Sequence, residues 1–117
     1  VGADPHHAQE LIRKLEDHGL DVIEVSQAVR NLSEATKTFE AMVMARTLRH
    51  DRSPLMRWCL GNVTLRHGEG DTVAPDKRRS SARIDCVAAA VNAVDVGMVR
   101  DVEVAVSAYS SSRLAHA

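Results

Sequence analysis

The sequence has few aromatic residues and few cysteines. Aromatic residues make up 3% of the 117 positions, which is low for a small domain that folds alone, because such cores usually depend on large aromatic side chains. We therefore expect the domain to be incomplete. The two cysteines, Cys59 and Cys86, lie in apolar segments predicted to be helical. This favours reduced, buried thiols over a disulfide framework or a zinc site, and it predicts a cytosolic protein.

Long apolar runs and an excess of one charge are also missing. No stretch approaches the length of a membrane span, and the first residues carry no signal-peptide pattern. The net charge is -1, so the chain has no overall nucleic-acid signature and any phosphate binding must come from local clustering. With 44% apolar residues, 117 positions are enough for one domain and too few for two.

Local clustering is found in residues 75–85, which read Pro-Asp-Lys-Arg-Arg-Ser-Ser-Ala-Arg-Ile-Asp. Apolar residues at positions 84, 87, 88, 91 and 94 follow a helical period, which predicts a core helix over 81–96 with Asp85 in its first turn. The helix dipole favours a carboxylate there, and Ser80 or Ser81 is predicted to cap the helix. The cationic residues of this segment, which we call the basic run, are Lys77, Arg78, Arg79 and Arg83.

Two interpretations of this segment stay open at this point. Asp85 is either an ordinary first-turn acid or a metal-binding acid, and the basic run is either a solvated loop or a phosphate-binding surface. A metal site needs a second carboxylate, which Asp4 supplies at the carboxyl end of a predicted strand, where ligands of open α/β folds bind. Next to Asp4, His6 and His7 are either contacts to a metal or a phosphate or surface residues at a helix start, and the second interpretation is favoured. Asp71 and Asp76 are expected to be turn acids, with Asp76 close enough to the basic run to support a site.

Strand and helix signals alternate along the chain, which predicts an α/β layer with helices on at least one face of a sheet. A first helix is closed by Gly19, and a second begins near residue 31 with Ser33 as its cap. Leu11 and Trp58 are predicted to face the core. The predicted elements are strand 1–4, helix 7–18, strand 21–26, a helix from 31 to about 48, helix 54–60, a hairpin over 62–73, helix 81–96 and a marginal strand over 102–106.

Taken together, these segments resemble the carboxy-terminal nuclease domain of the large terminase subunits of tailed bacteriophages, which has a ribonuclease-H-like fold. The resemblance covers nearly all of residues 1–97. It rests on the order and spacing of many short matches, which are more specific together than any one of them. They are Asp4-Pro5, the helix closed by Gly19, Val-Ile-Glu-Val-Ser-Gln ending at Gln27, Asn31-Leu32-Ser33, Leu-Met-Arg-Trp ending at Trp58, Asn62-Val63, Pro75-Asp76-Lys77, Ser80, and Arg83-Ile84-Asp85.

The resemblance implies a partial ribonuclease-H-like fold over residues 1–100, with a mixed sheet and flanking helices, followed by a loosely ordered tail over 101–117. It implies a metal-dependent DNA endonuclease that cuts concatemeric viral DNA during genome packaging. Members of the family use three principal acids, and Asp4 matches the second and Asp85 the third. The first acid has no counterpart in this sequence, and neither has the phosphate-binding loop of the amino-terminal ATPase.

The same resemblance implies two Mg²⁺ or Mn²⁺ ions at Asp4 and Asp85, with double-stranded DNA on the basic run. Its implied partners are the ATPase motor, the small terminase subunit and the portal, in the cytoplasm of a bacterial host and away from any membrane. Because two acids are too few to hold two such ions, the isolated chain is expected to cut DNA poorly or not at all. The alternatives are a non-catalytic remnant that still binds DNA or a partner, and another nuclease or recombinase of this fold.

Overall fold

The computed structural model describes residues 1–5 and 8–99. His6, His7, the marginal strand over 102–106 and the tail therefore lie outside the described residues. None of the described helices combines the length and the apolar character needed to cross a bilayer. The elements are β1 (Gly2–Ala3), α1 (Gln9–Asp17), β2 (Ile23–Glu24), α2 (Val29–Met44), α3 (Pro54–Asn62), β3 (Leu65–His67), β4 (Val73–Pro75) and a last helix, α4, over 85–99.

The four strands form two separate two-stranded sheets in the described part of the chain. β1 and β2 are parallel, with Gly2 opposite Ile23, and β3 and β4 form the predicted antiparallel hairpin. The expected α/β architecture is confirmed, although the strands do not join into the one mixed sheet that the sequence predicted. Gly2 is required where β1 crosses α4, because a Cβ at this position would lie 2.8 Å from Val96 Cγ2 and 3.1 Å from the Asn92 carbonyl oxygen.

Helix α2 packs against the hairpin through the hydroxyl of Ser33, which was predicted to cap the helix. The helix begins at Val29, so Ser33 lies inside it and is buried, and it is not the cap. The Ser33 Oγ instead accepts a hydrogen bond of 3.1 Å from the Val73 backbone N–H at the start of β4. The prediction was wrong because a serine that bonds to a distant strand leaves the same local sequence signal as one that caps its own helix.

The core lies between α2, α3, the hairpin and α4. Its buried residues include Leu32, Phe39, Cys59 and Val91. The predicted burial is confirmed for Cys59, whereas Cys86 is only half-buried. Two predicted core residues are not in it: Leu11 is 58% exposed and Trp58 is 49% exposed. Both lie on amphipathic helices whose buried stripe is narrower than the sequence suggested, since only Ile12 in α1 and Cys59 in α3 are buried.

Candidate functional site

A cleft of about 530 Å³ lies between the carboxyl end of β1, the hairpin and α4. Asp4 lines this cleft because it directly follows β1, which packs against α4. The opposite wall is the turn after β4, where Asp76, Lys77, Arg78 and Arg79 also line the cleft. The structure thus brings one acid from the start of the chain to three of the four cations of the basic run.

Asp76 holds the turn that carries these cations. Its Oδ1 accepts hydrogen bonds from the backbone N–H groups of Arg78 at 2.9 Å and Arg79 at 3.3 Å. Its side chain is 13% exposed, and Oδ2 lies 3.8 Å from the Arg79 Nε. The backbone N–H of Asp76 donates to the Thr64 carbonyl oxygen at 2.8 Å, which ties the turn to the hairpin. The turn role predicted for Asp76 is therefore confirmed, and its consequence is that Lys77 to Arg79 are held at the cleft.

Asp85 lies beside this cleft, as the first residue of α4. Its Oδ1 is 3.2 Å from the Lys77 Nζ, and both side chains are 63% exposed. Asp85 borders an adjoining hollow together with Lys77 and Arg83. Ala88 and Asn92 line the main cleft, and they lie three and seven residues after Asp85 in α4. Residues at this spacing share one face of a helix, so Asp85 lies on the face that borders the cleft, one turn closer to the start of the helix. Lys77 is thus shared between the surroundings of Asp4 and those of Asp85.

The predicted first-turn position of Asp85 is confirmed, but the predicted serine cap of its helix is wrong. The helix begins at residue 85, four residues after Ser81. The Ser80 Oγ accepts the Thr64 N–H at 3.0 Å, and the Ser81 Oγ donates to Asn62 Oδ1 at 3.4 Å. Both hydroxyls therefore attach the segment before α4 to the end of α3 and the start of the hairpin. A local pattern could not predict these contacts, because the bonded residues lie too far apart in the sequence.

The floor of the cleft contains a polar network that the sequence did not reveal. Gln27 Nε2 donates to the Val25 carbonyl oxygen at 2.9 Å and to Asn92 Oδ1 at 3.2 Å, and this second bond connects the segment after β2 to α4. Arg66, from β3, donates from one terminal nitrogen to the Gln27 carbonyl oxygen. All three residues line the cleft beside Asp4. Gln27 belongs to the segments that carry the resemblance, but no local pattern predicts these bonds, because its partners are 65 and 39 residues away.

The carboxylates of this region do not form a complete metal centre among the described residues. No group of three or more His, Cys, Asp or Glu side chains that could hold a metal ion occurs there. Asp4 and Asp85 have the right donor chemistry for Mg²⁺ or Mn²⁺, which prefer carboxylate and water oxygens, but they are two where several are needed. The described residues therefore fit part of such a site.

Comparison with known proteins defines the class to which this fold and cleft belong. The model of the terminase large subunit endonuclease domain matches residues 1–101, and the chain belongs to this family. A curated relative, protein YmfN of Escherichia coli strain K12, is 33% identical over 102 residues, which are 86% of this chain and 22% of that protein. In fold, the chain is similar to the crystal structure of the HK97 bacteriophage large terminase, with a TM-score of 0.71 at 21% identity.

Both of these relatives are much longer than this chain. The HK97 match covers 81% of this chain and 20% of the terminase chain, so this sequence spans about a fifth of the length of each relative. The family and the ribonuclease-H-like fold predicted from the resemblance are confirmed.

Proposed function

We propose that this chain supplies two metal-binding acids and the adjoining DNA-binding surface to a terminase large subunit that cuts viral DNA during genome packaging. Asp4 and Asp85 are the metal-binding acids, and Lys77, Arg78, Arg79 and Arg83 contact DNA phosphates. The observation that carries the proposal is the shared position of Lys77. It lines the cleft with Asp4 and forms an ion pair with Asp85, so both acids border one basic turn.

The contact that holds Asp85 is one that a metal ion can replace. An ion pair between two side chains that are each 63% exposed contributes little to stability, about 0 to 1 kcal/mol, because water screens both charges. Exchanging the Lys77 ammonium for a divalent cation therefore costs the fold little. Bound Mg²⁺ or Mn²⁺ would activate a water and stabilise the leaving oxygen in phosphodiester hydrolysis. The remaining ligands would come from parts of the subunit beyond the described residues.

The basic run is suited to hold the DNA backbone next to these acids. The side chains of Lys77, Arg78 and Arg79 are exposed, and Asp76 Oδ1 accepts the backbone N–H groups of Arg78 and Arg79, which fixes the turn. Phosphate contacts of this kind orient the duplex without reading its sequence. Arg83 lines the hollow beside Asp85, so it extends the cationic surface towards the first turn of α4. Double-stranded DNA is therefore the proposed substrate, and the bacterial cytoplasm is the proposed location.

A second candidate function is DNA binding without hydrolysis. The lack of a three-ligand cluster among the described residues favours it for the chain on its own. The family resemblance also supplies the proposed partners of the complete large subunit. They are the ATPase motor, the small terminase subunit and the portal.

Cleavage of plasmid DNA distinguishes the two functions. In a complete large subunit carrying this sequence, with Mg²⁺ or Mn²⁺, Asp4→Asn and Asp85→Asn should each lower the rate of cleavage by at least about a hundredfold, because the amide keeps the size of the side chain and removes the charge that holds the cation. The 117-residue chain alone should not cut above background.

The matched control is Asp17→Asn, which changes an exposed acid at the end of α1 and should leave cleavage unaltered. Full activity of the Asp85→Asn subunit would refute the assignment of Asp85. Nicking by the isolated chain that is lost in Asp85→Asn would show that its own residues complete the site, with Asp76 or His6 as the first candidates.

A further inference from the structure

A second concave surface lies on another part of the molecule, between the end of α2 and α3. This surface, which we call the α2–α3 groove, has a volume of about 370 Å³. Its floor is apolar and includes Leu48, Met56 and Leu60. These three side chains are half-buried and also pack against the core. None of the acids or cations assigned to the cleft lines it.

The rim of the groove carries more cations than acids. Arg46, Arg52 and Arg57 line it, and no aspartate or glutamate does. Within the described part of the chain, none of these three arginines forms an ion pair with a carboxylate. One acid lies nearby, because Asp51 Oδ1 accepts the backbone N–H of Ser53 at 2.9 Å, so the three arginines outnumber it. The groove therefore presents positive charge around an apolar floor.

Two of the rim arginines have backbone conformations that glycine adopts more easily. Arg46 has a φ of 57° and Arg52 a φ of 60°, in the left-handed region that side chains with a Cβ rarely adopt. Arg46 occupies the position after the α2 cap, where its N–H bonds to the Val43 carbonyl and that of Thr47 to the Met42 carbonyl. Gly19 occupies the same position at the end of α1, with a φ of 78°. An arginine where glycine is easier points to a role for the side chain.

We propose that the α2–α3 groove binds a short segment of another polypeptide that carries a large apolar side chain flanked by aspartate or glutamate. The apolar side chain would cover Leu48, Met56 and Leu60, and the carboxylates would meet the arginines on the rim. Charge complementarity selects an acidic partner, and the apolar floor selects a peptide over duplex DNA, since the backbone of a duplex presents phosphates and has no apolar side chain to bury. The proposal is independent of the nuclease site.

The experiment is a titration of the 117-residue chain, followed by the methyl NMR signals of Met56 and Leu60. The probe is a synthetic octapeptide with a central Leu-Phe pair between three acidic residues on each side. One matched peptide replaces the acids by Asn and Gln, and another replaces Leu-Phe by Ala-Ala. We expect the acidic probe to shift both methyl signals at submillimolar concentration. Each matched peptide should bind with an affinity that is lower by a factor of about ten or more.

Variants locate the contact. Arg52→Glu combined with Arg57→Glu should weaken the probe by about tenfold or more, whereas Arg13→Glu, on the exposed face of α1, should leave its affinity unchanged. Because these arginines are exposed, the variants should keep the wild-type methyl spectrum, which is checked first; if they do not, Arg52→Gln with Arg57→Gln takes their place. No methyl shift at millimolar probe, or equal binding of all three peptides, overturns the proposal. Methyl shifts caused by a DNA duplex and not by the peptide would overturn it as well.

Discussion

The cleft and the α2–α3 groove differ in the way their charges are arranged. In the cleft, Asp4 and Asp76 lie with three cations of the basic run, next to a polar network. In the groove, three arginines lie beside an apolar floor, and no acidic residue lines it. Mixed carboxylates and cations fit a metal ion next to a phosphate, whereas cations around apolar side chains fit an acidic peptide. Basic residues on one small domain therefore need not serve the same ligand.

The largest expected effect is the loss of DNA binding when two cations are removed from the cleft. Lys77→Ala with Arg78→Ala should weaken the binding of double-stranded DNA by roughly a hundredfold at 0.1 M salt, and lower the slope of log affinity against log salt by about two, because two phosphate contacts are lost. All sequences should be affected alike. Fluorescence anisotropy with a labelled duplex at several salt concentrations measures both quantities.

The matched control removes the same charge from the groove. Arg52→Ala with Arg57→Ala should leave the salt slope for DNA unchanged, since these arginines line the groove and not the cleft. An equal fall in slope for both double variants would show that DNA covers both regions and that the two surfaces do not differ in ligand.

The turn that presents the basic run gives the next largest effect. Asp76→Ala removes the acceptor of two backbone N–H groups and should lower the free energy of unfolding by about 1 to 2 kcal/mol. The affinity for DNA should fall as well, although a negative charge has been removed from the cleft, because Lys77 and its neighbours are no longer held in place.

Urea unfolding measures the change in stability, and Asp71→Ala is the control. Asp71 is an exposed acid in the turn of the hairpin, so its substitution should change stability by less than about 0.5 kcal/mol. Tighter DNA binding by the Asp76→Ala variant would mean that charge repulsion by Asp76 outweighs its structural role.

The smallest effect is expected at the ends of the first two helices. Arg46→Gly should raise the free energy of unfolding by about 0.5 to 1 kcal/mol, because glycine relieves the left-handed strain at this position. The same variant should bind the acidic probe peptide more weakly. Gly19→Ala is the inverse control: no atom lies within 4 Å of an added Cβ, so the loss of about 1 kcal/mol expected there reports the backbone strain alone. Destabilisation by Arg46→Gly would show that the arginine stabilises the fold by other contacts.

Local signals in the sequence predicted most elements correctly. The stop at Gly19, the start of α3 at Pro54, the hairpin around residues 68 to 71 and the place of Asp85 in the first turn of α4 all depend on neighbouring residues, and all are present. Each is decided by a glycine, a proline or a short apolar period that acts within a few residues.

Contacts between distant residues could not be predicted in this way. Ser33, Ser80 and Ser81 were assigned as helix caps, but each bonds to a residue 16 to 40 positions away. The Gln27 to Asn92 bond spans 65 positions and was not foreseen. A polar side chain gives the same local signal whether it bonds to its own helix or to another element. The placement of Asp4 and Asp85 around one basic turn is of this kind: the strand pattern predicted only that Asp4 lies at a sheet edge, and the family resemblance implied that the two acids share a site.

The assignment of Asp4 and Asp85 as metal-binding acids is tested by the crystal structure of a complete large subunit carrying this sequence, soaked in Mn²⁺ and recorded at the manganese absorption edge. We expect an anomalous peak within roughly 2.5 Å of a carboxylate oxygen of Asp4 and a peak at the same distance from one of Asp85, with Lys77 released from Asp85. Manganese bound to neither acid, or bound to Asp4 while Asp85 keeps its ion pair with Lys77, would contradict the assignment.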